Sequence, residues 1–255
     1  FNQSENEVKL VWYNEINSTA CLFYHCNDIK EIDFSNFNSS LVSGPITGMF
    51  NGCTSLISLD LSNFNISKVN NTANFFSNCH SLTSINLTNF DTSNIVTMEN
   101  MFCSCYSLES IDLSSFNTPL LSNFRMAFYN CINLTFINLS NFDLSSVTTI
   151  ARLFESCTSL KTVKFPNSTT PELSSIGSMF LNCYSLLSVD LSNFDTSQVT
   201  HMDKTFTNCR SLTSINLSNF DTSKVTKMEM MFDGCSNLEY INFKNAKDNN
   251  VNACN

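Results

Sequence analysis

The chain is short of charge. Of its 255 residues, 14% are Asp, Glu, Lys or Arg, against roughly 25% in an average soluble domain. Lys and Arg number 13, form no run, and leave a net charge of −9. A nucleic-acid groove or an anionic membrane surface wants a basic stripe, so neither is expected as a partner. No apolar run approaches the ~18 residues of a membrane span, so no membrane span is expected. Gly (5) and Pro (4) are scarce, which excludes a flexible linker of that composition, and no shift in composition divides two domains. The chain opens at Phe1 without a Met or an apolar signal segment and reads as mature or trimmed. Histidine is confined to His25, His80 and His201, and there is no CxxC pair. Zinc is therefore not expected. Neither a Gly-rich phosphate loop, nor a nucleophile–base pair, nor a converging pair of carboxylates is found. The expectation is a non-enzyme without a cofactor.

What is present is polar and repetitive. Hydrophobic residues make up 42% of the chain, and most of the polarity comes from Asn, Ser and Thr. Cys53, Cys79, Cys105, Cys131, Cys157, Cys183, Cys209 and Cys235 are spaced by 26 every time, and Cys26 precedes them by 27. A Phe stands three residues before each of them, from Phe23 to Phe232. Residues 213–228, TSINLSNFDTSKVTKM, and 83–98, TSINLTNFDTSNIVTM, differ at five positions and lie 130 residues apart, which is five periods. Periodicity on this scale is the mark of a solenoid.

Each unit has the same grammar, clearest in residues 209–235. Ile215 and Leu217 alternate with Ser214, Asn216 and Ser218, the period of a short half-buried strand. NFDTS is turn chemistry. Val225, Met228, Phe232 and Cys235 then fall at steps of 3, 4 and 3, the spacing of one apolar stripe on a short helix. Thr226 and Glu229 suit a capping box at its start. The predicted fold is an α/β solenoid, a right-handed leucine-rich-repeat-like coil with a parallel sheet on one face and short helices on the other. Residues 1–25 read as an N-terminal cap (with Trp12) and first half-turn, 26–235 as eight repeats, and 236–255 as a last strand and tail. One unit alone cannot bury its apolar face; stacked units can. About nine strands at ~4.8 Å each give a sheet on the order of 40 Å long.

Stacking turns equivalent positions into columns. The column Asn36, Asn63, Asn89, Asn141, Asn167, Asn193 and Asn219 is expected to bury its amides against backbone groups, and the Phe after it, as at Phe220, to form a second stack. The cysteine column reads as buried thiols that behave as small hydrophobes. The off-column Cys21, Cys103 and Cys254 are the disulfide candidates. The outward strand column runs Asp33, Asp60, Asn86, Asp112, Asn138, Lys164, Asp190 and Asn216. It is monotonous, a lattice of small polar groups. One unit breaks it: KTVKFPNSTTPELSS (161–175), where Ser168 replaces the stacked Phe. Lys161 and Lys164 are the main positive cluster of that face, with Phe136 in the preceding unit, and the three form the candidate contact patch. Sequons N-x-S/T are numerous; Asn65, Asn70 and Asn167 lie in expected turns, and Asn86, Asn138 and Asn216 on the strand face.

The unit SLTSINLSNFDTSKVTKMEMMFDGC resembles the repeat of the BspA-type leucine-rich-repeat surface proteins, and the resemblance covers residues 20–245. It implies a leucine-rich-repeat solenoid, extracellular or at the cell surface, engaged in adhesion or recognition of a protein or glycan on a cell or in a matrix. It supplies no catalytic residues. The competing expectation is structural: an open solenoid end presents unpaired strand edges, a template for end-to-end homo-polymerisation into a fibre or coat, glycosylated if the sequons are used.

Overall fold

Ser214, Ile215 and Asn216 run exposed, buried, exposed, and this alternation forms a strand of three residues. The computed structural model describes residues 16–243. Within them lie eight strands: β1 (Gly44–Pro45), β2 (Ser58–Asp60), β3 (Val69–Asn71), β4 (Ser84–Asn86), β5 (Phe136–Asn138), β6 (Thr162–Lys164), β7 (Ser214–Asn216) and β8 (Tyr240–Asn242). On the predicted strand face β2 pairs with β4, β5 with β6 and β7 with β8, all parallel and in the 26-residue register, as in Leu59↔Ile85 and Ile215↔Ile241. The long continuous sheet expected there is instead three two-stranded pieces, since 110–112 and 188–190 are not strand. A second parallel ladder is more continuous. It starts with β1 on β3 and runs on through single bridges, Asn71↔Thr97↔Asn123↔Thr149↔Ser175↔His201↔Lys227. The result is a leucine-rich-repeat solenoid with coil stacked on coil.

The expected helices are corrected: among the described residues there is none. The apolar stripe lies on tandem turns. In one coil the amides of Phe75, Ser77 and Cys79 donate to the carbonyls of Thr72, Asn74 and Phe76, three residues back. The amides between them, of Thr72, Asn74, Phe76 and Asn78, donate out of the coil to Thr97, Glu99, Met101 and Cys103. Seven successive coil interfaces carry this four-bond ladder, each bond joining residue i to i+25. Aiming alternate amides along the stack requires left-handed residues, and each coil has two, such as Asn74 (φ 57°) and Asn78 (φ 60°). The second of these positions is filled by His25, Gly52, Asn78, Ser104, Asn130, Ser156, Asn182, Asn208 and Gly234, mostly residues that reach this region at low cost. The capping box is absent for the same reason. Thr226 directs both its amide (2.9 Å) and its hydroxyl (3.1 Å) to the carbonyl of Thr200 in the preceding coil.

The core is built from columns. Phe23, Phe50, Phe76, Phe102, Phe128, Phe154, Phe180, Phe206 and Phe232 form one unbroken offset stack, with centroids 5.4–5.7 Å apart and planes within 16°. The second Phe column is interrupted at Ser168, and Phe165 fills the gap by packing edge-on against Phe194 at 5.0 Å. Pro166 is buried beside it. The Ser168 hydroxyl accepts from the amide of Leu144. The threonine at this turn position, in DTS at Thr196 and in NTP at Thr118, is buried and both donates and accepts across a coil interface: the Thr118 hydroxyl donates to the Asp143 carbonyl (3.3 Å) and accepts from the Asp143 amide (3.0 Å). Thr170 and Thr196 do the same to Asp195 and Asp221. The Asn column differs from expectation. Asn141 and Asn219 are exposed, yet their side-chain amides still donate to the Ser114 and Ser192 carbonyls of the preceding coil, at 2.7 and 2.9 Å.

The cysteine column has its own bond. The thiol of Cys105 donates to the carbonyl of Phe76 at 3.3 Å, and the same carbonyl already accepts from the amide of Cys79. The thiol thus satisfies the second lone pair of a buried carbonyl. The motif repeats from Cys53 to Cys235. All eleven described cysteines, the disulfide candidates Cys21 and Cys103 among them, are free thiols in this structure; the third candidate, Cys254, like Trp12, lies outside the described residues. Burial pushes the Cys53 thiol up to about 11 and raises Cys79, Cys105, Cys131, Cys157, Cys183 and Cys209 as well. Since the thiolate is the nucleophile, these seven should resist iodoacetamide in the native protein at neutral pH, whereas exposed Cys21 is modified. Peptide mass mapping before and after denaturation checks this, and rapid native labelling of Cys131 or Cys157 would contradict the buried ladder.

Candidate functional site

The strand face is set by the turn that follows each strand. The side-chain oxygen of Asp60 accepts the amide of Ser62, two residues on, at 2.8 Å. The same Asx turn closes at Asp33, Asn86, Asp112, Asn138, Asp190 and Asn216, with distances of 2.8–3.1 Å. The monotony of this column therefore has a local cause: Asp or Asn places a side-chain acceptor two residues before the amide it must satisfy, which Ser and Thr do more weakly. The bonds hold the carboxyls of Asp33, Asp60 and Asp190 below the usual range, chiefly through the serine amide and then its hydroxyl. At Asp112 the Ser114 hydroxyl leads and the amide follows.

Lys164 occupies this column without an acceptor, and the turn after it is shaped by Phe165 and buried Pro166. Its strand lies against β5, so Phe136 is beside Thr162 and Asn138 beside Lys164. Phe136 is 45% exposed in a column otherwise made of Glu31, Ser, Thr and Tyr240. Lys161 sits one residue before β6, its amide bonded to the Thr135 carbonyl and its carbonyl to the Leu187 amide. Among the described residues neither lysine ammonium has an ion-pair or hydrogen-bond partner. The structure thus brings the three patch residues onto two adjacent coils, and adds residues that the sequence reading missed. Leu187, against Lys161, is 55% exposed. Three residues earlier, Tyr184 carries the guanidinium of Arg210 over its ring at 4.6 Å, a third cation held by cation–π attraction. Column arithmetic was the available signal: 135, 161 and 187 share one column, and 158, 184 and 210 another.

The sequon residues Asn65, Asn70, Asn86, Asn138, Asn167 and Asn216 are all exposed. At Asn65, Asn86, Asn138 and Asn216 the amide oxygen is the one engaged by the Asx bond. Among the described residues no group of three His, Cys, Asp or Glu side chains could hold a metal. No helix of the described residues is long and apolar enough to cross a membrane. A shallow depression on the strand face is lined by Asn86, Thr88, Asp112 and Ser114, which are Asx-turn residues rather than a reactive cluster.

Overlapping matches to one family model, described as "Mycoplasma protein of unknown function, DUF285", cover residues 2–86, 74–186 and 162–254. The chain belongs to this family. No curated protein matches it. Solved structures similar to this DUF285 chain include bacterial leucine-rich-repeat proteins. The T. pallidum leucine-rich-repeat protein is 23% identical over 67% of this chain and 72% of that one, with a TM-score of 0.47. A leucine-rich-repeat protein of Bacteroides ovatus is 19% identical over 93% and 80%, at 0.38. A leucine-rich cell-surface protein of Faecalibacterium prausnitzii is 19% identical over 88% and 75%, at 0.39.

The Asx column makes a sharp mutational contrast. Asp60→Asn keeps the acceptor and should leave stability within a few tenths of a kcal/mol, while Asp60→Ala loses one turn bond and should cost about 1 kcal/mol. The folded carboxyl lies below its unfolded value. Its contribution is therefore complete above the ordinary Asp value of ~3.9 and disappears as pH falls through the lower folded value. Asp60→Asn should remove that acid-side loss at this position. Thermal melts of the two variants between neutral and acid pH measure both effects.

Proposed function

We propose that this chain is a recognition scaffold, extracellular or at a cell surface, that binds an anionic protein or glycan through its strand face at Phe136, Lys161 and Lys164. One observation carries the reading. The Asx column is broken on this face by a cation with no partner, and the break coincides with exposed Phe136 and Leu187 and with the Tyr184–Arg210 pair. Three cations beside flat apolar side chains, on a chain of net charge −9, favour a ligand that combines negative charge with an apolar or sugar-ring surface. Elsewhere on the face the Asx column is committed to its own turns, and the exposed apolar side chains Ile57 and Tyr240 stand without a neighbouring lysine cluster. Repeat scaffolds of this kind work by binding rather than by catalysis, and the reading needs no cofactor. If the sequons are used, glycans at Asn86 and Asn216 coat other coils of the same face, one at Asn138 stands beside Lys164 and would crowd the patch, and Asn65 and Asn167 carry theirs at turns and Asn70 on β3.

Lys161→Glu combined with Lys164→Glu should weaken binding to cells or immobilised sulfated glycans by about tenfold, the ~1.4 kcal/mol expected of two reversed contact charges. Both side chains are exposed, so the melting temperature should not move. Wild-type binding by the doubly reversed protein would remove this patch as the contact site.

A further inference from the structure

One buried charged side chain belongs to none of the side-chain ladders. Glu155 is 8% exposed, in a column that is otherwise neutral from Asn51 to Thr207: Asn, Ser, Cys, Tyr, Leu and Thr. Tyr129 stands before it and Leu181 after it. Its Oε2 lies 3.3 Å from the Nε of Arg152 but accepts no hydrogen bond among the described residues. The other cations that act on it are Lys204, two coils on with Asp203 preceding it, and Arg125 in the preceding coil, already paired with Glu99 at 3.0 Å. The Cys183 thiol is close enough to feel its charge. An ionised carboxyl with an unfilled lone pair in such surroundings is costly. Burial accordingly raises the Glu155 carboxyl above its ordinary value, and the three cations offset only part of the rise.

The backbone ladder runs through this residue. The Glu155 carbonyl accepts from the Asn130 amide at 2.7 Å, and the amides on either side, of Phe154 and Ser156, donate to Met179 and Leu181 at 2.9 and 2.7 Å. The same coil leaves β5 and enters β6, the two strands that bear Phe136 and Lys164, with Lys161 just before β6.

We infer that Glu155 is a proton-operated latch in the turn between β5 and β6: protonated, it lets the ladder close on both sides of its coil; ionised, it favours local opening. When the turn opens, the carboxylate reaches water; when it closes, the carboxylate is desolvated again. The proton comes from solvent and returns to it. The closed form holds that proton more tightly. The contribution of Glu155 to closure is therefore complete below the ordinary Glu value of ~4.3 and is lost as pH rises through the higher closed value. The latch does not rest on the strand-face reading, since it acts on the backbone without a ligand.

Hydrogen exchange of the full chain, read residue by residue from acid to neutral pH, tests this. Against Glu155→Gln at the same pH, the wild type should protect the Asn130, Phe154 and Ser156 amides equally in acid and severalfold less near neutral pH. The Phe76 and Asn78 amides, in a distant coil of the same ladder, should match between the two proteins throughout. Arg152→Met removes the nearest counter-charge, so it should deepen the neutral-pH loss in the wild-type background and not in Glu155→Gln. Identical pH courses for the wild type and Glu155→Gln would overturn the inference. So would a loss that appears equally at Phe76 and Asn78, or an Arg152→Met effect of the same size in both backgrounds.

Discussion

One constraint governs this molecule: a coil of 26 residues has no room to satisfy its own backbone. A helix closes its amides onto carbonyls four residues back and needs no neighbour. Here half of the turn-side amides are turned outward along the stack and depend on the next coil, because a buried amide left unpaired costs more than the bond is worth when made. The chain meets that demand by visiting the left-handed region twice per coil. Those two residues set the direction of the ladder, and the ladder sets the pitch at which phenylalanines stack, thiols reach carbonyls and threonines bridge. A coil removed from its neighbours would lose its hydrogen bonds and its core together, so stability here is a property of interfaces between coils.

The side-chain ladders share a logic. Each supplies what the backbone of an adjacent coil lacks. The thiol of Cys131 takes the second lone pair of the Phe102 carbonyl, and the hydroxyl of Thr196 serves both the amide and the carbonyl of Asp221. A thiol suits this position because it is a weak donor with the volume of a small hydrophobe, so it bonds without the desolvation cost of a hydroxyl. The same burial that makes it useful raises its pKa and so disfavours the reactive thiolate. Twelve cysteines in a chain of 255 suggest oxidation or metal chemistry at first sight; seen in the fold, most of them are packing.

The sequence declared the register, the core columns and some of the strand positions, because a period of 26 leaves little freedom in how Leu59 must sit on Ile85, although 110–112 and 188–190 are not strand. It misdirected on the other face. Val225, Met228, Phe232 and Cys235 have helical spacing, but a chain of tandem turns also brings every third or fourth residue inward, and spacing alone cannot separate the two. Composition held the distinguishing signal. Gly48 and Gly52, then Asn74 and Asn78, then Asn130, Asn182 and Asn208 occupy the would-be helix interior, where a helix would prefer Ala, Leu or Lys. The strand-face column was misread for a different reason. Asp60 and Asn86 look like surface decoration until the amide two residues on is located, and only coordinates locate it. Phe165 was hidden as well: Ser168 announced a missing ring, and nothing in the sequence order said that a residue three places earlier would turn inward to replace it.

These obligations bear on where a partner can be read. A recognition surface needs positions free to vary, yet on this strand face the most prominent column is bound to Asp or Asn by its turns. Freedom arises only where another device shapes the turn. In the coil of Lys164 that device is Pro166, whose ring fixes one dihedral and fills buried space, with Phe165 replacing the lost ring and the Ser168 hydroxyl serving the amide of Leu144. Three compensations together release one column position from Asx duty, and the residue placed there is a lysine, next to an exposed phenylalanine on the preceding strand. The coil of Lys164 is thus a place on this face where a column position is free of Asx duty because other residues shape its turn.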